Sequence, residues 1–446
     1  VADQLKPDTL KLAETFPPVT TAAWEAVIHT DLKGADYQKK LVKKTPENIA
    51  VKPYYRSEDL PAVLPVARRS GNDWEIATPG SEPADAIRAD RFHDSGATAV
   101  QELAFAIAAA SDRLASGGNG FSMVFAVGSN YFFEIAKLRA ARLLWARVAE
   151  AYGVSGDKVR MIARTALANK SVCDPYTNLL RVTTEALSAV IGGCDVLIVE
   201  PFQFSDRLAL NLQYLLKHET HLDQVADPAG GSYYVEWLTD ALAKAAWKLF
   251  QEVEAEGGYS HAAAWIEQAI GESRKALQVA IASRRRTLVG VNNYPDLRGA
   301  GIASIPGHDT GWRMAEPLER IRLRTERHAA SKGHAPVVLL LTRGDLKMRI
   351  ARANFAANFF GCAGFELQES TELKPADLIV LCSSDPEYLA LAQEIIPQVK
   401  VPVVVAGNPK DQIEALTQAG VAGFVHVFSN LVDTLSEWQN KLGVTA

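Results

Sequence analysis

The chain has 446 residues, 48% of them hydrophobic and 22% charged, with a formal net charge of -5. That length exceeds one ordinary core and predicts two or three domains at roughly 100 to 200 residues each, and the balance is that of a soluble globular protein rather than a disordered or membrane one. The net acidity argues against nucleic acid as the main partner, and no apolar run reaches the ~20 residues needed to span a bilayer.

Cys173, Cys194, Cys362 and Cys382 lie far apart and form no CxxC pair, which argues against a disulfide framework or a structural zinc site and fits a reducing cytoplasm. The first residues, VADQLKPDTLKLAETFPPV, lack the apolar stretch of a secretory signal. The expected location is cytoplasmic.

Residues 1–56 read as an N-terminal arm. After a break at Pro17 and Pro18, TTAAWEAVIHTDLKG places Trp24, Val27 and Ile28 on one helical face and stops at Gly34. A basic, β-leaning stretch follows. Such an arm cannot bury its own apolar residues and is expected to lie on another surface, of this chain or of a partner. Residues 57–86, rich in Pro, Gly and Ser, read as a connector with one short strand at 74–77.

From residue 87 strand and helix alternate four times: AIRAD, FSMVFAVG, VRMIART and DVLIVEPF each precede an amphipathic segment. The pattern predicts a parallel sheet of βα units, suits a barrel wall or an open sheet equally well, and supplies half of an eight-stranded barrel. Long helices then run to TLVGVNNYPD, so the α/β region spans 87–295. Residues 296–335 combine a loop, RGAGIASIPGHDTG, with a charged helix of the kind that bridges domains. Residues 336–446 offer the strands VVLLLT, FELQES, DLIVLCS, PVVVAG and FVHVFS with helices at 346–360, 386–396, 410–419 and 431–441. Five βα units in that length describe a flavodoxin-like doubly wound sheet, whose ligands sit at the carboxyl ends of the strands.

KTPENIAVKPYY, FHDSGATAVQELAFAIA, NYFFEIAKLRAARLLW, DPAGGSYYVEWLT and TLVGVNNY, in this order and ahead of such a domain, together resemble the methylmalonyl-CoA mutase family. The resemblance implies a partial (β/α) barrel related to a TIM-barrel substrate domain, followed by a flavodoxin-like, cobalamin-binding-type domain. It also implies a radical interconversion of methylmalonyl-CoA and succinyl-CoA, in which the cofactor supplies the radical and the protein binds and shields it.

The matching positions depart from the catalytic pattern. Where the family's cobalt-binding loop reads DxHxxG, this chain has Asp345, then Lys347 at the histidine and Ile350 at the glycine, and Leu341 at a family lysine. An ammonium has no lone pair for a metal, and a β-branched residue at 350 crowds the nucleotide tail. Asp345 is equally readable as a helix N-cap. The later glycine-rich turn survives as Ala406 and Gly407, and a serine pair as Ser383 and Ser384. In the register of GYHxQEAGA, Asp90 and Arg91 replace the Tyr and His over the radical centre, and His93 falls on the Gln, where a structural hydrogen-bonding role is expected. In the register of RAHCQTSG, Ala166 and Ala168 replace the His and Gln, while Arg164 remains. Alanine neither polarises a thioester nor donates a proton.

About thirty residues also stand where the family has its first four βα units. A half barrel exposes two sheet edges and an apolar inner face, so a cover is expected from the arm, a second copy or a partner. The resemblance therefore implies a non-catalytic small subunit, with no catalytic, metal or cofactor residue of its own, paired as a heterodimer with a large subunit that carries adenosylcobalamin. Two alternatives stay open. One is an active acyl-CoA mutase with an altered cofactor site. The other is a free-standing acyl-CoA or nucleotide binder using Arg164, Arg343 and Lys347 as phosphate contacts.

Overall fold

In a computed structural model the chain forms two compact units, Val1–Asp59 and Leu60–Ala446. The structure describes residues 18–61, 71–118, 120–155, 159–297, 299, 301–302 and 312–444. The Pro17 break, much of the connector before Gly71 and the 303–311 part of the expected loop lie outside them.

In the first unit, helix α1 (Thr21–Asp31) starts at Thr20, whose side chain accepts from the Ala23 amide, and α2 (Tyr37–Leu41) starts at Asp36, which accepts from Lys39. Strands β1 (Lys43–Lys44) and β2 (Ala50–Val51) pair antiparallel. The Trp24 ring stacks on Tyr54 at 4.8 Å, and the Arg56 guanidinium covers it at 5.3 Å. Nothing in α1 is buried, and among described residues 18–59 Ile49 is the only buried one. Trp24 and Val27 remain 44% and 60% exposed, as expected of an arm that cannot bury its own apolar face.

The second unit begins with β3 (Glu75–Ala77), β4 (Ile87–Arg88), the short α3 (Asp90–Asp94) and α4 (Ala99–Ala115), which opens on a capping box between Thr98 and Gln101. Next come β5 (Ser122–Val127), α5 (Tyr131–Ala151), β6 (Arg160–Thr165), α6 (Pro175–Ile191), β7 (Val196–Ile198) and α7 (Asp206–Tyr214). Helix α6 starts on the Asp174 side chain with Pro175 at its first position, where a missing N–H removes nothing. All strand pairs are parallel, in the order β3-β7-β6-β5-β4. This is a partial barrel of five strands, and the short strand in the connector is one of its edges.

Because β3 and β4 are opposite edges, residues 78–86 form a strap that crosses from one edge to the other. Four inter-strand spacings come to about 19 Å, within reach of nine residues at about 3.3 Å each. On the inner face Val124, Ile162, Val196 and Ile198 pack with Ala77 and Ala86 at the two ends of the strap, and each of the four is at most 4% exposed. The cover expected from the arm, a second copy or a partner is thus supplied in part by the chain itself. On the outer face Met123, Phe125 and Met161 alternate with these residues and are buried.

Helices α8 (Tyr233–Ala255) and α9 (Ala263–Ala282) follow, α8 packing on α4 and α5. Helix α10 (Glu316–Lys332) leads to β8 (Val337–Thr342), α11 (Leu346–Gly361), β9 (Glu366–Ser370), β10 (Leu378–Cys382), α12 (Tyr388–Ile395), β11 (Val403–Ala406), α13 (Ile413–Gln418), β12 (Gly423–Val425) and α14 (Leu431–Lys441). The parallel order is β12-β11-β10-β8-β9, the flavodoxin-like order. The last strand is shorter than FVHVFS suggests. The His426 amide donates to Ser429 Oγ and the Phe428 amide to His426 Nδ1, closing a turn directly after Val425.

One hydrophobic core joins the two sheets. It contains Ala168, Val172 and Phe202 from the partial barrel, Leu318 and Ile321 from α10, and Phe359, Phe360 and Val404 from the flavodoxin-like domain. Helix α10 also bonds the C-terminal helix and the residues after it. The buried Gln439 side chain donates to Ile321 O at 2.6 Å, and Arg324 donates to Val444 O at 2.5 Å.

Candidate functional site

Strand alternation sends Arg88 to the inner face beside Val124, and Arg164 to the same face beside Ala126. Both meet carboxylates there. Arg88 Nε and Nη2 bond the two oxygens of Asp90 at 2.9 and 2.6 Å, and Glu82 of the strap lies 3.5 Å away. Arg164 donates to Glu200 at 3.1 and 2.9 Å and lies 3.5 to 3.7 Å from Asp90, Asp94 and Glu82. Asp94 also accepts from the Leu167 and Ala168 amides at 3.0 and 3.1 Å. Burial pushes its carboxyl pKa up, against the opposing pull of His93 and Arg164.

The strand-end mouth is therefore filled by a charge network of this chain's own making. Asp90 is 1% exposed and held by Arg88, Arg91 faces solvent, and Ala166 and Ala168 are fully buried. Arg164 is already engaged. It sits on the partial barrel, whereas Arg343 and Lys347 follow β8 of the other sheet.

His93 lies beside a buried cluster that the sequence reading did not anticipate. Lys137 sends its ammonium to Glu102 at 2.6 Å, Glu134 at 2.6 Å and Ala126 O at 2.7 Å. The other Glu102 oxygen accepts from the Ala126 amide at 2.8 Å. His93 Nδ1 stands 3.4 Å from Glu102, and a Cβ on Gly128 would come within 3.1 Å of its Nε2. Two carboxylates face one ammonium, so an imidazolium would balance the set. Burial disfavours that cation, but the contact with Glu102 and the charges of Glu102 and Glu134 outweigh burial and the opposing Lys137, raising the His93 pKa above its ordinary value.

A raised histidine pKa stabilises the fold below about pH 6.5, and the contribution is lost as pH rises through the folded value. The excess stability of the wild type over a His93→Gln variant is therefore expected to shrink as pH rises above about 6.5. Urea unfolding across that range measures it. An excess that is constant with pH would mean that His93 carries no proton-linked stability.

At the strand ends of the flavodoxin-like sheet, Asp345 caps α11, accepting from the Met348 amide at 2.8 Å. Lys347 is exposed and Ile350 is 48% exposed. They lie one helical turn apart, and so share a face. Leu341 is fully buried within β8. Ser383 and Ser384 follow β10, and Glu387 reaches back to both hydroxyls, each at 2.6 Å. The Ser-x-x-Glu spacing from Ser384 is a capping-box signal that could have revealed Glu387. Nothing in the sequence marks Glu82 or the Lys137 cluster.

Among the described residues no group of three or more His, Cys, Asp or Glu is placed to hold a metal ion, and no helix is long and apolar enough to cross a membrane. All four cysteines are free and buried. Burial pushes the Cys173 thiol up to about 11 and the Cys362 thiol up to about 12.

The methylmalonyl-CoA mutase family model matches residues 84–335, more than half of the chain. The chain belongs to the methylmalonyl-CoA mutase family. The match runs from the end of the strap to just past α10. The chain is 38% identical over 410 residues to a methylmalonyl-CoA mutase small subunit of Porphyromonas gingivalis, covering 80% of this chain and 66% of the relative. It is 34% identical over 398 residues to a probable methylmalonyl-CoA mutase small subunit of Mycobacterium bovis, covering 79% and 63%. To a methylmalonyl-CoA mutase of Rhizobium meliloti it is 41% identical over 226 residues, covering 46% and 32%. It thus spans just under two thirds of the length of the first two relatives.

Proposed function

We propose that this chain is the non-catalytic small subunit of a heteromeric, cytoplasmic methylmalonyl-CoA mutase, and that it stabilises or regulates a large subunit carrying adenosylcobalamin. The reading rests on family membership and on the small-subunit names of its relatives. The observation that carries it is the filled mouth of the partial barrel. Arg88 and Arg164 are committed to Glu82, Asp90, Asp94 and Glu200, and apolar side chains pack along the inner face. A thioester and a radical need an enclosed, water-free chamber, and the inner face is lined instead by this apolar packing.

The residues at the cobalamin position do not fit the cofactor. Lys347 offers an ammonium where a lone pair is needed, Ile350 projects from the same helix face, and the Asp345 carboxylate is spent on capping α11. The N-terminal unit, with Trp24 and Val27 exposed, is the part we assign to contact with the large subunit.

Incubating the purified chain with adenosylcobalamin and methylmalonyl-CoA is expected to yield no succinyl-CoA and no cobalamin spectrum after gel filtration. Native mass spectrometry with the large subunit should show a heterodimer. Substantial turnover by the chain alone would overturn the reading.

A further inference from the structure

In the flavodoxin-like sheet the chain runs from β8 to β9 on one side and then returns to β10 on the other. The topological switch point, where doubly wound sheets open their ligand crevice, therefore lies between the loop after β8 and the loop after β10. One side chain reaches across between those loops. The Glu387 carboxylate accepts from Ser383 Oγ and Ser384 Oγ at 2.6 Å each, from the Ser384 amide at 3.2 Å, and from the Asp345 amide of the facing loop at 3.2 Å. A capping box accounts for the Ser384 contacts, but Ser383 and Asp345 lie outside it.

Gly344 holds φ at 73°, and a Cβ there would overlap the Glu387 carboxylate, so the facing loop is shaped around this group. The serine hydroxyls and the two amides bring its pKa down to about 2, which keeps it an anion at neutral pH.

We propose that Glu387 is an internal occupant of the switch-point crevice, holding it shut by taking the donors that a phosphate-bearing ligand would use. The inference deepens, and rests on, the reading of this chain as one that binds no cobalamin: besides replacing the cobalt-ligand position, the chain carries its own anion in the groove. Arg352 reinforces the closure from α11 through a 2.9 Å contact with Asp385, two residues before Glu387.

Two measurements test it. Amide hydrogen exchange at Asp345 and Ser384 is expected to be at least about tenfold faster in E387A than in the wild type, with E387Q, which keeps an acceptor oxygen but no charge, in between. Separately, K347H/I350G and K347H/I350G/E387A are each passed through gel filtration with adenosylcobalamin and read by visible spectrum. The triple variant is expected to retain at least about tenfold more cofactor than the double. Exchange unchanged in E387A, or retention no greater in the triple than in the double variant, would overturn the inference. Cofactor retained by the wild-type chain would instead overturn the small-subunit reading.

Discussion

Replacing Glu319 by alanine is expected to destabilise the second unit by about 3–5 kcal/mol, seen as a lower urea midpoint. Arg313 is 1% exposed and bonds both Glu319 oxygens at 2.7 Å, with Lys170 O at 3.3 Å and the Phe202 ring at 5.2 Å. Glu319 also accepts from the Val172 amide at 2.9 Å. Alanine leaves a buried guanidinium without its counter-charge and a buried N–H without an acceptor. The double variant Arg313→Met with Glu319→Leu removes both charges and restores apolar volume. It should lose less than Glu319→Ala, about 1–3 kcal/mol for each neutral group left unpaired, because no charge is stranded and only the Val172 amide and the Lys170 carbonyl lose a partner. A double variant as unstable as Glu319→Ala would show that the ion pair itself, rather than the stranded charge, sets the cost.

The second large effect is expected at Glu102. Its carboxylate, fully buried, serves the Lys137 ammonium, the Ala126 amide and His93 at once. Glu102→Ala should cost about 3–5 kcal/mol, since Lys137 keeps only Glu134 and one carbonyl. Burial would raise the Glu102 pKa, but Lys137 and His93 outweigh it and hold the group below its ordinary value. A depressed carboxylate contributes stability above about pH 4.3, and that contribution is lost as pH falls through the folded value. The gap between wild type and Glu102→Ala should therefore be widest near neutral pH and narrow in acid. Urea unfolding at pH 7 and at about pH 3.5 measures both limbs.

The strand-helix alternation was legible because the central strands, covered on both faces, are short apolar runs such as SMVFAV and VVLLLT. Helix starts were legible where a cap has chemistry, as at Thr98, Asp174 and Asp345. Strand order was not, because periodicity fixes which residues face inward but not which strands are neighbours. The strap follows from that order, with β3 beside β7 and β4 at the far edge. The charge network at the mouth was hidden for the same reason. Glu82, Arg88, Asp90, Asp94, Arg164 and Glu200 meet only through sheet register. Ala166, Ala168 and Lys347 are visible in the sequence as departures from the pattern it resembles, but nothing in the sequence says what fills the space around them.

The placement of β3 also governs the order in which the chain can be built. Among the described residues its only sheet partner is β7, which emerges from a ribosome more than about a hundred residues later. Until β7 is in place, β3 and the strap have no edge on which to dock, and the apolar inner face of β5 and β6 stands open to water. Contacts this distant in sequence form slowly. The earliest strand of the partial barrel can therefore join its sheet only after four later strands have been made.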